Sequence, residues 1–189
     1  MIDIKADSLL DRREILKMGL CGFVATATPF LLSTEAKASS STWRTSFRNA
    51  HTGESFNGVY RVGNKYLPDA FERISYVLRD FRTGEVFPMD PRVVDIMTVI
   101  HKKTGMSTPV NILSGYRSPK TNANLRGATS GVAKNSFHMY GQALDIRVPG
   151  YKTSGIRKIA MGLKAGGVGY YPKSGFVHVD TGNVRSWSM

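Results

Sequence analysis

The clearest helical pattern in this chain lies between Asp90 and Gly105. Asp90 suits the N-cap position, Pro91 suits the first helical position, and Gly105 suits the residue that ends a helix. Between them, apolar side chains recur at the spacing that places them on one face of a helix. These residues are Val93, Val94, Ile96, Met97 and Ile100. The pattern predicts a helix that begins at Pro91 and packs one face on the core.

A second helix is predicted over residues 155–165, with Thr153 or Ser154 as its cap. Its apolar face consists of Ile156, Ile159, Ala160 and Leu163. Residues 68–80 leave two interpretations open. A helix could begin at Asp69, whereas residues 76–80 have more of the character of a strand.

Short segments rich in β-branched and aromatic residues predict several strands. They cover residues 59–62, 109–114, 143–148, 168–171 and 175–180, with a short extended piece at 65–67. Pro172–Ser174 joins the last two strands as a hairpin, and the Ser/Thr-rich residues 39–43 are predicted to be poorly ordered. This mixture predicts an α+β domain with a small antiparallel sheet and flanking helices.

Two of these strands have a reactive side chain between apolar neighbours. Asp145 lies between Leu144 and Ile146, and His178 lies between Val177 and Val179. Alternate residues of a strand face the same side, so the apolar neighbours of each are expected to enter the core. If the two strands pair, Asp145 and His178 lie side by side on the other face.

The N-terminus has the order of a secretory signal. Arg12-Arg13 precedes an apolar stretch from Met18 to Leu32, and Ala36-Lys37-Ala38 matches a cleavage site. The arginine pair favours twin-arginine export, so we predict a signal peptide over 1–38 and a periplasmic domain over 39–189. The alternative is an uncleaved anchor, although the apolar stretch is short for a spanning helix. After cleavage, no stable membrane span is expected.

The net charge indicates which partners the protein binds, and the cysteine content indicates which catalytic chemistry it can use. The formal net charge is +12, and all of it belongs to residues 39–189 because residues 1–38 contain five basic and five acidic residues. A basic exported domain is expected to be attracted to an anionic wall polymer such as peptidoglycan. No nucleic-acid motif is visible, and export removes that partner. The single cysteine, Cys21, lies in the predicted signal, which excludes thiol chemistry from the domain.

Three residues form a candidate zinc site. His138, Asp145 and His178 provide two imidazoles and one carboxylate, a set that zinc enzymes use while leaving a position open. His138 could instead be an ordinary loop histidine, and His178 a hydrogen-bonded core histidine. Asp145 is harder to explain without a cation, because a buried carboxylate needs compensation. His101 follows the pattern of a solvated residue at a helix end, and His51 has no ligand partner nearby.

The same residues resemble a known peptidase family. The LAS-type zinc peptidases have a similar pair of motifs. In this chain the motifs are Ser136-x-His138-x-x-Gly141-x-Ala143-x-Asp145 and Gly175-Phe-Val-His178-Val-Asp180. That group includes the D-Ala-D-Ala dipeptidases and carboxypeptidases, shares its fold with the hedgehog signalling domain, and has a branch of exported murein endopeptidases. The resemblance covers most of the mature chain, including Ser114–Ser118 and the tail Val184–Trp187. It implies a hedgehog/DD-peptidase-like fold in which His138, Asp145 and His178 bind Zn²⁺.

The resemblance also implies a role for Arg117, and Ser136 and Asp180 are further candidates from their positions in the chain. Arg117 would bind the developing oxyanion or a substrate carboxylate, although a structural ion pair is the alternative. Ser136 would contact substrate or cap its loop. Many relatives have a catalytic Glu or His shortly before the second histidine, where this chain has Gly175 and Phe176. Asp180 could replace that base, or it could orient His178.

The predicted function is that of a zinc-dependent murein endopeptidase that hydrolyses peptide cross-links in peptidoglycan during wall remodelling. One alternative is a D,D- or L,D-carboxypeptidase that trims stem peptides. The other is a catalytically inactive wall-binding module, which the missing Glu favours.

Overall fold

The computed structural model describes residues 41–128 and 131–189. The predicted twin-arginine signal over 1–38 lies outside these residues. The four described α-helices are α1 (Pro68–Val77), α2 (Pro91–Thr104), α3 (Pro119–Ala128) and α4 (Thr153–Leu163). The strands are β1 (Thr42–Asn49), β2 (Ser55–Val62), β3 (Lys65–Tyr66), β4 (Val110–Ser114), β5 (Ala143–Arg147), β6 (Gly167–Tyr171), β7 (Phe176–Asp180) and β8 (Arg185–Ser188). A 3₁₀ helix spans Phe137–Tyr140.

The strands form one mixed sheet rather than the small antiparallel sheet that the sequence predicts. Within the described residues its order is β3-β2-β1-β4-β5-β7-β6-β8, so eight strands take part. The pairs β1–β4 and β6–β8 are parallel, and the other neighbouring pairs are antiparallel. The α+β prediction is thus confirmed at the level of a mixed helix and strand domain, and the extent of the sheet is corrected. The additional strands include β1, which begins at Thr42 within the segment predicted to be poorly ordered.

Helix α2 has the ends that the sequence predicts. The Asp90 side chain accepts a hydrogen bond from the Arg92 backbone N–H, Pro91 is the first helical residue, and Gly105 has a left-handed φ of 67°. Gly105 fits this end because glycine adopts that conformation without a steric cost. Helix α4 is also present, but its N-cap is Lys152 and makes no side-chain cap bond, so the predicted Thr153/Ser154 cap is wrong.

Residues 68–77 form helix α1, and no strand follows over residues 76–80. Ala70, Ile74 and Val77 are buried at helical spacing, so the helix covers the sheet with one apolar face. The apolar run at Val77-Leu78 was misleading because such a short run fits either a strand or the end of a helix.

The hydrophobic core lies between the sheet and the helices. Its largest fully buried side chains include Phe47, Tyr60, Ile74, Met97 and Ile146. Leu144 and Ile146 of β5 and Val177 and Val179 of β7 all enter this core, as their alternation predicts. No helix among the described residues is both long enough and apolar enough to cross a membrane.

Candidate metal centre

Strands β5 and β7 bring Asp145 and His178 together. They pair antiparallel with Asp145 directly opposite His178, which confirms the predicted juxtaposition. His138 lies in the 3₁₀ helix that precedes β5. Gly141 ends that helix with a φ of 64°, and an added Cβ there would overlap the Pro88 carbonyl. Glycine is therefore required where the chain turns from His138 into β5.

The three side chains form a tight, buried cluster. His178 Nδ1 lies 2.9 Å and His138 Nε2 lies 3.3 Å from Asp145 Oδ1. The two facing ring nitrogens are 3.2 Å apart. One candidate ligand atom from each residue lies within 4.8 Å of the others. This donor set fits a metal ion such as zinc, which binds imidazole nitrogen and carboxylate oxygen.

The outward ring nitrogens have their own acceptors. His138 Nδ1 lies 2.7 Å from the Gly115 carbonyl oxygen, and His178 Nε2 lies 3.0 Å from Asp180 Oδ2. A carbonyl oxygen only accepts hydrogen bonds, so Nδ1 of His138 holds the proton and Nε2 keeps its lone pair. His138 thus presents its Nε2 lone pair on the side that faces Asp145, and His178 would present Nδ1 there once a metal ion displaces the proton.

Electrostatics favour a cation at this point. Burial by itself would raise the pKa of Asp145, but His138 and His178 hold it well below the usual range of a carboxyl group. Burial lowers the pKa of His138. For His178 the hydrogen bonds to Asp145 and Asp180 outweigh burial and raise its pKa to about 9. Positive charge between these two carboxylates is thus stabilised, and a metal ion would compete with the proton for the same place.

Asp180 is fully buried and surrounded by donors. Its Oδ1 accepts from the backbone N–H groups of Gly167 at 3.0 Å and Gly182 at 2.9 Å. Arg185 donates to both oxygens, at 3.0 and 2.6 Å. With His178 on Oδ2, the carboxylate has five hydrogen bonds and contacts the ring nitrogen that points away from Asp145. This is the geometry of an acceptor that orients an imidazole.

Arg117 lies beside the cluster on the segment that follows β4. Its Nη2 is 3.7 Å from Asp145 Oδ2, and its backbone N–H donates to the His138 carbonyl at 3.1 Å. Its bonds to Ser114 Oγ and Asn122 Oδ1 are long, at 3.3 and 3.4 Å. Burial lowers the pKa of Arg117, partly offset by Asp145. The guanidinium is held next to the site by weak bonds and can donate to a further oxygen.

The cluster opens into a cleft of about 590 Å³. Ser136 lines this cleft, and its hydroxyl does not cap the 3₁₀ helix, so the alternative of a capping serine is not supported. Asp145 is the sole acidic side chain among the described residues that line the cleft, and Asp180 is not among them. Arg117, Lys173 and Arg185 line it as well, so cations predominate there.

The remaining histidines lie apart from the cluster. His51 stacks on Phe81, and His101 Nε2 is hydrogen-bonded to the Thr108 carbonyl oxygen near the end of α2. Two cleft residues, Arg185 and Trp187, were seen in the sequence only as part of a similar tail. Nothing in the local pattern assigns them a role, because their contacts are made through the parallel pairing of β8 with β6.

Comparisons with known proteins agree on one family. Residues 37–187 match the model of a family named Peptidase_M15_2 and described as peptidoglycan L,D-endopeptidase MepK. The chain is 39% identical over 180 residues to peptidoglycan L,D-endopeptidase MepK of Escherichia coli (strain K12), which covers 94% of this chain and 97% of that protein. It is 41% identical over 142 residues to a Haemophilus influenzae protein named probable peptidoglycan L,D-endopeptidase MepK, which covers 75% of this chain and 76% of that protein.

Proposed function

The chain belongs to the Peptidase_M15_2 family of MepK-type peptidoglycan endopeptidases, and we propose that it acts as a zinc-dependent endopeptidase on the peptide cross-links of peptidoglycan. The resemblance found in the sequence is thereby confirmed at the level of the family. The protein is a peptidoglycan hydrolase of the metallopeptidase type. The observation that supports this function best is the buried cluster of His138, Asp145 and His178 at a cleft.

His138, Asp145 and His178 would hold the zinc ion. Bound there, zinc supplies Lewis acidity to the scissile carbonyl and to water. The protein would orient the two imidazole rings and the Asp145 carboxylate toward the same point. The Gly115 carbonyl orients the His138 ring, and Asp180 orients the His178 ring.

Arg117 would stabilise negative charge on the substrate. Its guanidinium is close to Asp145 Oδ2, at 3.7 Å, and its other hydrogen bonds are long. A donor fixed beside the reacting carbonyl stabilises the oxyanion more than the neutral carbonyl, which lowers the barrier. Ser136 is proposed to contact the peptide, since it lines the same cleft.

Asp180 is better suited to orienting His178 than to taking a proton from water. Both of its oxygens are occupied by donors, and it does not line the cleft. We therefore assign it the positioning role and not that of the general base, the other role that its place in the sequence allows.

The proposed substrate is supported by charge and by the relatives, and the proposed compartment by the predicted signal. The relatives are named L,D-endopeptidases, and we propose the same bond type for this chain. Arg117, Lys173 and Arg185 give the cleft positive charge, which suits the carboxylates of peptidoglycan stem peptides. We also propose the periplasm as its compartment, reached by the twin-arginine signal predicted over 1–38.

The test is digestion of purified, cross-linked murein by protein that retains its own metal, with and without a chelator. An endopeptidase would convert cross-linked dimers into monomers whose stem peptides are not trimmed. The chelator should abolish this conversion, and added zinc should restore it. Release of single amino acids would instead identify the carboxypeptidase. Sacculus binding without any hydrolysis, in metal-loaded protein, would identify the inactive wall-binding module.

A further inference from the structure

Strand β6 contains two glycines opposite two large side chains of β8. The parallel register pairs Gly167 with Arg185 and Gly169 with Trp187. A Cβ at Gly167 would overlap the Arg185 guanidinium and the Asp180 carboxylate. A Cβ at Gly169 would lie 2.6 Å from indole atoms of Trp187. Because β6 has no side chain at either position, β8 residues can reach across it to β7.

The first contact across this gap is made by Arg185. Its two terminal nitrogens donate to the two oxygens of Asp180, at 3.0 and 2.6 Å. The carboxylate is fully buried, and it accepts from His178 Nε2 at 3.0 Å. A bidentate pair with a guanidinium fixes the plane of a carboxylate. The direction in which Asp180 presents its oxygen to His178 therefore depends on Arg185.

The second contact is made by Trp187. Its ring centroid lies 5.3 Å from that of His178, with the planes at 49°. Its Nε1 donates to the Tyr171 hydroxyl at 3.1 Å, and that hydroxyl belongs to a residue of the cleft. The indole is seated on Gly169, which is itself the neighbour of His178 in the sheet register. It thus lies against the imidazole on the side away from Asp145.

We propose that β8 is a positioning strand of the metal centre, in which Arg185 and Trp187 reach over Gly167 and Gly169 to hold the His178 imidazole in its ligating orientation. Arg185 acts through Asp180 and fixes the outward nitrogen of the ring. Trp187 packs against the ring itself and limits its rotation. The inference rests on the proposed function in that His178 is taken as a metal ligand.

The test compares zinc affinity among variants of the full mature domain, measured by competition with a chromogenic chelator. Arg185→Gln and Trp187→Ala should each weaken zinc binding by about tenfold or more, the size of effect typical when a partner of a ligating histidine is lost. Gly169→Ala should do the same with Trp187 still present, because the new methyl group displaces the indole. Trp187→Phe should recover most of the affinity, since it keeps an aromatic ring against His178.

The matched control is Ser186→Ala. Ser186 lies on β8 between the two proposed residues, is exposed, and pairs with Val168 rather than with a glycine. Its zinc affinity should equal that of the unaltered protein. The proposal would be overturned if zinc affinity were unaltered in Trp187→Phe, Trp187→Ala and Arg185→Gln while the metal-free variants melted at a lower temperature. Strand β8 would then be a structural strand only.

A separate measurement distinguishes this proposal from the proposed function. In metal-free protein, the imidazole NMR signals of His178 should be single and sharp in the unaltered chain and exchange-broadened in Trp187→Ala. Sharp signals in both proteins would contradict the positioning role whatever the enzyme does. If the unaltered protein binds zinc but leaves murein intact, the endopeptidase assignment fails, and the zinc affinities still decide the role of β8.

Discussion

At the scale of single residues, the site depends on which nitrogen of each histidine is free. The Gly115 carbonyl fixes the proton of His138 on Nδ1, and Asp180 accepts from Nε2 of His178. The atoms that would bind a metal are thus Nε2 of His138 and Nδ1 of His178, which face each other. A histidine with the opposite tautomer would present a hydrogen atom to the metal, so these second contacts are part of the site.

His138→Ala and His178→Ala are each expected to abolish zinc retention and murein hydrolysis, because two remaining ligands do not make a stable site. Metal content after dialysis and dimer cleavage are the measurements. His101→Ala is the control, since His101 bonds the Thr108 carbonyl oxygen outside the cluster. Full zinc occupancy in either of the first two variants would contradict the assigned ligands.

Arg117→Lys should lower kcat more than it raises KM, because lysine lacks the planar fork of the guanidinium. The loss of one oxyanion donor typically costs about a hundredfold or more in turnover. Steady-state kinetics on a soluble cross-linked peptide would measure it, with the exposed Arg126→Lys as the matched control. Normal turnover in Arg117→Lys would leave Arg117 a purely structural ion-pair residue.

Asp180→Asn should weaken zinc binding by about ten- to a hundredfold, with activity restored by added zinc. The reason is that Asp180 contacts the outward nitrogen of His178 and is absent from the cleft. Zinc affinity and hydrolysis should be measured on one preparation. An inactive variant with unchanged zinc affinity would return Asp180 to the role of catalytic base.

At the scale of elements, hydrogen bonds of Asp80 connect the segment after α1 to the start of α3. Asp80 is buried, and its side chain accepts from the backbone N–H groups of Ser118 and Arg82, both at 2.9 Å. Burial would raise the pKa of Asp80, but hydrogen bonds from Thr121, Ser118 and Arg82 outweigh it and leave the pKa below its ordinary value. The segment that contains Arg117 is therefore positioned partly by a charged side chain from another part of the chain.

Asp80→Asn is expected to lower the free energy of unfolding at pH 7 by about 1–3 kcal/mol, the range for losing a charged hydrogen-bond partner in a buried place. A carboxyl with a lowered pKa in the folded state stabilises the fold above its unfolded pKa, and this contribution is lost as the pH falls through the folded pKa. The difference between variant and parent should thus be full at pH 7 and 5 and shrink below about pH 4. Urea unfolding at these pH values would measure it, with the exposed Glu72→Gln as control. A difference that stays constant down to pH 2 would rule out the charge as its source.

At the scale of the whole molecule, positive charge is expected to govern attachment to the wall. The net charge of +12 belongs to residues 39–189, and cations predominate in the cleft. Screening shortens electrostatic attraction from about 8 Å at 0.15 M salt to about 3 Å at 1 M.

Binding of the inactive His138→Ala variant to purified sacculi should therefore fall steeply as NaCl is raised from 0.05 to 0.5 M, on the order of tenfold for a charge-driven interaction. Co-sedimentation would measure it. Hydrolysis of a small soluble cross-linked peptide should depend much less on salt. Sacculus binding that is insensitive to salt would show that the net charge does not drive attachment.

Much of the site follows from local sequence because strand alternation and turn chemistry are local. The placement of Asp145 between Leu144 and Ile146, and of His178 between Val177 and Val179, determines that both reactive side chains share the face opposite the core. Asp90-Pro91 and Gly105 likewise determine where α2 begins and ends. The family resemblance rests on the same residues.

Only the tertiary structure decided the contacts that join segments far apart in the chain. The sheet is larger than predicted because β1 pairs in parallel with β4, and parallel pairing leaves no turn between the two strands to reveal it. The partners of Asp180 and the contacts of Trp187 are likewise set by the register of β8 against β6. The need for glycine at two positions of β6 can be recognised only once that register is known. Local patterns fix which side of a strand a residue faces, whereas its neighbours across the sheet depend on how the whole chain packs.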